Sequence, residues 1–150
     1  MIVLYHAPLG HEDRFVVTPN FHVFAMYAAH QGARALRAEF SVPDVQYERD
    51  GKPARFWGLN GSASQKSNVV TLTAVNPDLH KTTETEIAIR GASISRASAT
   101  VLMAPNMNSH NSFNQPDAVK PATLAASVKG DLVMVSIPPA SVIKLEIVLG

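Results

Sequence analysis

Apolar residues recur at helical spacing between Thr18 and Gly32, and from Ala35 onward they alternate with polar ones. The first stretch predicts a helix with defined ends. Thr18 can cap the first turn, Pro19 suits the first helical position where its missing N–H costs nothing, and Gly32 can take the left-handed conformation that closes the last turn. Phe21, Phe24, Ala25 and Ala28 form one stripe on this helix, while Val23, Met26, Tyr27 and His30 form another on roughly the opposite side. A helix apolar on two faces calls for packing on two sides.

The alternating part reads as a run of short strands. Leu36, Ala38, Phe40 and Val42 would face one way and Arg37, Glu39 and Ser41 the other. Asp50-Gly51 offers a tight hairpin turn after Val45-Gln46-Tyr47-Glu48, and a strand from Phe56 to Ser64 is interrupted by Gly58 and Gly61. Val69 to Val75 is the clearest central strand, ended by the turn residues Asn76-Pro77-Asp78. Further strands are expected at Thr85 to Arg90, Ser98 to Met103, Asp131 to Ile137 and Ser141 to Leu149, the last two flanking Pro138-Pro139. Such spacing describes a mainly β chain, an antiparallel sandwich preceded by one helix. Leu72, Ile89, Leu102 and Leu145 are its expected core. The connection from Pro105 to Leu124, rich in amides and prolines, is too long for a hairpin, and loops of that length are usually functional or docked on something.

A chain of 150 residues with 46% hydrophobic and 17% charged residues can bury one core. Thirteen Lys and Arg against twelve Asp and Glu give a formal charge of +1, with no basic run, so nucleic acid is not an expected partner. No stretch approaches the roughly 20 apolar residues that span a bilayer, and the start Met1-Ile2-Val3-Leu4-Tyr5-His6 has no basic leader, so no membrane partner is expected and a cytoplasmic location is. Cysteine is absent, which excludes disulfides and thiolate chemistry.

Candidate chemistry is sparse. Glu12-Asp13, Glu84 with Glu86, and Glu48 with Asp50 read as solvated surface carboxylates rather than an acid/base pair. The histidines have no metal-site spacing: His22 and His30 lie eight apart on different sides of the helix, and His6 and His11 fall on a loop, so neither a metal nor a cofactor is expected. In the long loop, Asn108, His110 and Asn111 could anchor the loop to backbone or contact a substrate. Tyr47, Phe56 and Trp57 lie on early strands. Trp57 could be a flat platform for sugar rings on a stand-alone carbohydrate-binding module, against a reading of Phe56 or Trp57 as core packing.

Several segments in order resemble one known family. Thr18-Pro19, His22-Val23-Phe24, Met26-Tyr27 and His30-Gln31-Gly32-Ala33 are similar to the final barrel helix of family 51 α-L-arabinofuranosidases. Gly61-Ser62-Ala63-Ser64, Val75-Asn76-Pro77-Asp78, Arg90-Gly91, Asn108-Ser109-His110-Asn111-Ser112-Phe113, Pro116-Asp117-Ala118-Val119-Lys120-Pro121 and Pro138-Pro139-Ala140-Ser141-Val142 resemble that family's C-terminal domain. The resemblance implies a jelly-roll-like sandwich over residues 34–150, with residues 1–33 a remnant of a (β/α)8 barrel otherwise missing from the chain. It also implies that the complete enzyme removes terminal arabinofuranosyl groups from arabinose-containing oligosaccharides or polysaccharides, and that it is a homo-oligomer. Such retaining glycosidases use two glutamates about 5 Å apart at the ends of barrel strands. No glutamate here falls on a matching motif, so the chain alone is expected to be inactive and its role structural. Before Asp13 the sequence departs from the family's pattern, with Leu4-Tyr5-His6-Ala7-Pro8-Leu9-Gly10-His11 in place of a short turn.

Overall fold

The computed structural model describes residues 15–150. The expectations for His6, His11, the Glu12-Asp13 pair and the segment Leu4–His11 lie outside the described residues. Helix α1 (Pro19–Tyr27) is followed by a single 3-10 turn (Ala28–His30) and then by strands β1 (Arg34–Leu36), β2 (Val45–Arg49), β3 (Lys52–Phe56), β4 (Asn60–Lys66), β5 (Val69–Asn76) and β6 (Thr83–Ala88). The chain continues through β7 (Ile94–Leu102), β8 (Ala122–Leu124), β9 (Ala126–Lys129), β10 (Leu132–Ile137) and β11 (Ser141–Leu149). The mainly β class with one preceding helix is as the alternation predicts.

Two sheets face each other. One has six strands in the order β1-β4-β5-β11-β7-β8, the other three in the order β6-β10-β9, and β2 and β3 form a separate hairpin. Every ladder is antiparallel. Strand β11 lies at the centre of the larger sheet, paired with β5 from Ser141↔Asn76 to Val148↔Val69 and with β7 on its other side. Its period of two puts Ile143, Leu145 and Ile147 on the inner face with no solvent exposure, against Val133, Val135 and Ile137 of β10. Leu72 joins this core, Ile89 packs at its margin half-buried, and Leu102 belongs instead to a second cluster under the helix.

Some boundaries differ from the expected ones for local reasons. The stretch Phe56 to Ser64 is two strands, because the chain turns at Trp57-Gly58-Leu59. A Cβ on Gly58 would collide with the carbonyl oxygen of Pro43, and Leu59 inserts into the core. Only Arg34–Leu36 of the first alternating run is a strand; Phe40 and Val42 still pack against the core, while Ala38 is exposed. Thr18 occupies the N-cap position and its carbonyl accepts the Phe21 N–H at 3.0 Å, but its hydroxyl makes no capping bond and is buried with no partner among the described residues. Gly32 has φ +67°, and the Asp50-Gly51 turn has positive φ at both residues, as a type I′ hairpin requires.

The turn after β5 is a fastening point. Asn76 is buried; its Nδ2 donates to the carbonyls of Lys81 (2.9 Å), Pro138 (3.0 Å) and Ile137 (3.2 Å), and its Oδ1 accepts the Asp78 N–H at 3.1 Å. Asp78 Oδ1 accepts the N–H groups of His80 and Lys81 at 2.8 and 2.9 Å, and its carbonyl accepts the Ala140 N–H at 2.8 Å. The two sequence-distant turns, Asn76-Pro77-Asp78 and Pro138-Pro139-Ala140, therefore hold each other. These backbone bonds from His80, then Lys81, hold the Asp78 carboxyl below its ordinary 3.8, with the nearby positive charges adding to the shift and burial opposing it.

Two outcomes are expected. Leu145→Ala should cost about 2–5 kcal/mol in denaturant unfolding, and Ile89→Ala less, because only the first leaves a cavity in a fully enclosed core. Because folding depresses the Asp78 pKa, its contribution to stability is complete above the unfolded value near 3.8 and is lost as pH falls through the folded value. Unfolding measured from pH 5 downward should thus show a shallower acid loss for Asp78→Asn than for the wild type.

Candidate functional site

The helix meets the larger sheet at a junction built from two kinds of contact. Met26 is buried with Leu102 of β7 and Val119 of the long loop, flanked by Val23, Tyr27, Ala104 and Val142. One turn later His30 uses both ring nitrogens: Nδ1 lies 2.7 Å from the Ser64 hydroxyl and Nε2 lies 2.9 Å from the Thr73 hydroxyl. Both hydroxyls are buried on the helix-facing side of β4 and β5, where water could not satisfy them. A neutral imidazole donates at one nitrogen and accepts at the other, and a hydroxyl can do either, so this bridge is fully satisfied.

The long loop closes the junction from its other side. Asn111 Nδ2 donates to the carbonyls of Val17 (2.7 Å) and Val119 (2.9 Å), and its Oδ1 accepts the Val119 N–H at 2.7 Å. One amide thereby joins the segment entering the helix to the loop residue buried beneath it. His110 and Asn108 behave differently: both are exposed, and the His110 Nδ1 contacts the Asn108 carbonyl at 3.0 Å. Beside the helix start, a mostly apolar groove of about 520 Å³ runs between Pro19, Leu79, Met103, Met107 and Val142.

The other helical stripe is open. Phe24 is 63% exposed, Phe21 is partly exposed, and Ala25 and Ala28 are exposed. Trp57, for which core packing was one reading, is 68% exposed, and Phe56 is exposed rather than buried. Among the described residues the hairpin that ends at Phe56 shares no ladder with either sheet, and Trp57 follows it in the turn into β4.

The carboxylates are engaged as surface groups. Glu84 accepts the Ser136 hydroxyl at 2.6 Å, Glu146 pairs with Lys144 at 3.1 Å, and Glu39 pairs with Arg37 at 2.7 Å. Among the described residues no three His, Cys, Asp or Glu side chains gather to hold a metal ion, and no helix is long and apolar enough to cross a membrane.

The family model described as α-L-arabinofuranosidase C-terminal domain matches residues 5–141. The chain belongs to that family. An intracellular exo-α-L-arabinofuranosidase of Bacteroides ovatus is 27% identical over 146 residues, a match covering 97% of this chain and 28% of that protein. The family 51 arabinofuranosidase of Xanthomonas axonopodis pv. citri superposes with a TM-score of 0.82 at 28% identity, over 91% of this chain and 27% of that one. The thermostable α-L-arabinofuranosidase of Thermotoga petrophila shares the fold, with a TM-score of 0.71 at 18% identity over 91% of this chain and 30% of its own. The chain thus spans between a quarter and a third of the length of each of these relatives. The sandwich expected from the resemblance is the fold of that family's C-terminal domain.

Asn111→Ala strands the partly buried Val119 N–H and is expected to cost about 1–3 kcal/mol. His30→Ala should loosen the helix while leaving the sheets intact. Hydrogen exchange would read this as faster exchange over residues 19–30 with the β11 amides unchanged.

Proposed function

We propose that this chain serves as the non-catalytic C-terminal domain of an α-L-arabinofuranosidase, with residues up to 33 a remnant of its catalytic barrel in which α1 is the barrel's last helix, and residues 34–150 the sandwich that supports it. The observation that carries this reading is the two-faced helix. Val23, Met26, Tyr27 and His30 bind the sheet, while Phe21, Phe24, Ala25 and Ala28 remain open. A contiguous apolar stripe of this kind marks a contact surface. In this reading its partner is the barrel, and the junction at His30 and Asn111 fixes the angle between the two bodies. Removal of arabinofuranosyl groups from arabinose-containing glycans, homo-oligomeric assembly and a cytoplasmic location belong to the complete enzyme. Asn111 acts as the loop anchor, and His110 with Asn108 is left on the solvent side of that loop.

The chain by itself is expected not to hydrolyse an aryl α-L-arabinofuranoside above background, and turnover that survives rigorous purification would overturn the proposal. A chimera gives the positive test. Fused behind the barrel of the Xanthomonas relative in place of its own C-terminal domain, the chain should yield an active, soluble enzyme. Phe24→Glu in that chimera should lower its thermal midpoint by several degrees. Indifference to Phe24→Glu would mean that the stripe does not face the barrel.

A further inference from the structure

Asn60 opens β4 with its side chain in solvent and folded back on its own chain, where its Oδ1 accepts the Gly61 N–H at 2.7 Å. The side-chain carbonyl carbon therefore lies beside the nitrogen of the next peptide. No other asparagine is followed by glycine, and glycine alone leaves that nitrogen with no side chain in front of it. Asn76 precedes Pro77, which has no N–H to lose. Asn108 is followed by the small Ser109, but the Ser109 N–H is held by the Asn106 carbonyl at 3.1 Å, and the Asn111 amide is committed to Val17 and Val119. At Asn60 the outer edge of β4 is also open, since β1 pairs with Ala63, Ser64 and Gln65 only.

The fold excludes the neighbour that would shield this pair. A Cβ on Gly61 would collide with the carbonyl oxygen of Thr73 and lie 2.8 Å from the Ala74 Cα, so no side chain fits at position 61. Gly58 is pressed against the Pro43 carbonyl in the same way, and Leu59 between them is buried in the core. Packing thus imposes the labile Asn60-Gly61 pair and leaves the backbone on both sides of it without slack.

We propose that Asn60 is a self-modification site, converted without an enzyme to aspartate and isoaspartate, and that the conversion loosens the start of β4. Hydroxide removes the Gly61 amide proton and the nitrogen attacks Cγ of Asn60; a C–N bond forms and the Cγ–Nδ2 bond breaks with release of ammonia, leaving a succinimide ring. Water then opens the ring. Cleavage between Cγ and the nitrogen gives aspartate, whereas cleavage at the main-chain carbonyl gives isoaspartate, whose backbone runs through the former side chain and is one carbon longer. The net change is gain of water and loss of ammonia, with no oxidant. Aspartate adds only a solvated charge. Isoaspartate lengthens the chain between Leu59 and Gly61, so it must draw Leu59 from the core or displace the Asn60↔Val75 pairing.

The test is incubation of the full chain in mildly acidic and mildly alkaline buffer, read by peptide mass spectrometry with electron-transfer fragmentation and by labelling with isoaspartyl methyltransferase. Most molecules should convert at Asn60 while Asn108 stays an amide, and conversion should be faster in the alkaline buffer. Asn60→Gln should resist, because its longer side chain would have to close a larger ring. The isoaspartate fraction should unfold at lower denaturant and exchange amide hydrogens faster over residues 59–66, whereas Asn60→Asp, which adds the charge without the extra carbon, should match the fresh chain. Survival of Asn60 in the native chain, with conversion of the same chain in urea, would overturn the proposal by showing that the strand protects the pair. Equal conversion at Asn60 and Asn108 would overturn it as well, as would an isoaspartate fraction no less stable than Asn60→Asp.

Discussion

The burial of one face of β11 governs the rest of the structure. Ile143, Leu145 and Ile147 are enclosed completely, and a slip of one residue in register would turn all three to the opposite face of the sheet and bring Lys144 and Glu146 into the core. That penalty fixes β5 and β7 on either side, and through them the six-stranded sheet. The smaller sheet is placed by the same requirement, since Val133, Val135 and Ile137 supply the opposing surface. Polar contacts then settle how the ends of these strands are tied. Asn76 and Asp78 bind the turn before β11 to the turn after β5, so the strand pair that carries the core is closed at its end by the Asn76 side-chain amide on two backbone carbonyls and by one backbone bond from Ala140 to Asp78.

The opposite side of the larger sheet is where the chain departs from a self-contained sandwich. Thr73 and Ser64 are polar residues at buried positions there, and they are tolerable because His30 bonds to both hydroxyls. The same helix leaves its phenylalanines in solvent. A helix held on one side by satisfied polar groups and a small apolar cluster, and open on the other, suits a joint between two bodies better than an ornament on one. This asymmetry, with membership of the α-L-arabinofuranosidase C-terminal domain family, supports a structural role beside a catalytic barrel.

Much of this was legible in the residues. Period-two alternation in β10 and β11 declared both strands, because a half-buried strand has only one way to hide its apolar side chains, whereas β5 is buried on both faces. Asp50-Gly51 specified its own turn through local backbone sterics, and of the two helical stripes the one with Val23, Met26 and Tyr27 meets the sheet while the other lies open. The family resemblance followed from ordered motifs whose physical content appeared only later: Asn76-Pro77-Asp78 and Pro138-Pro139 are two halves of one latch, and Asn111 and Val119 two halves of another.

What only the tertiary structure decided are the facts that depend on neighbours distant in sequence. Strands β8 and β9 carry short, small-residue patterns too weak to signal a strand, and they exist because β7 and β10 offer edges to pair with. His30 gave no sign of its role, since its partners Ser64 and Thr73 lie 34 and 43 residues away. Trp57 was open to a core reading, and its exposure appears only in the fold, where it sits in the turn between β3 and β4. Local sterics and periodicity are written in the sequence, whereas burial is a property of the assembled surfaces, so the chain alone marked its long strands and turns while the fold decided the short edge strands and which aromatic residues stay exposed.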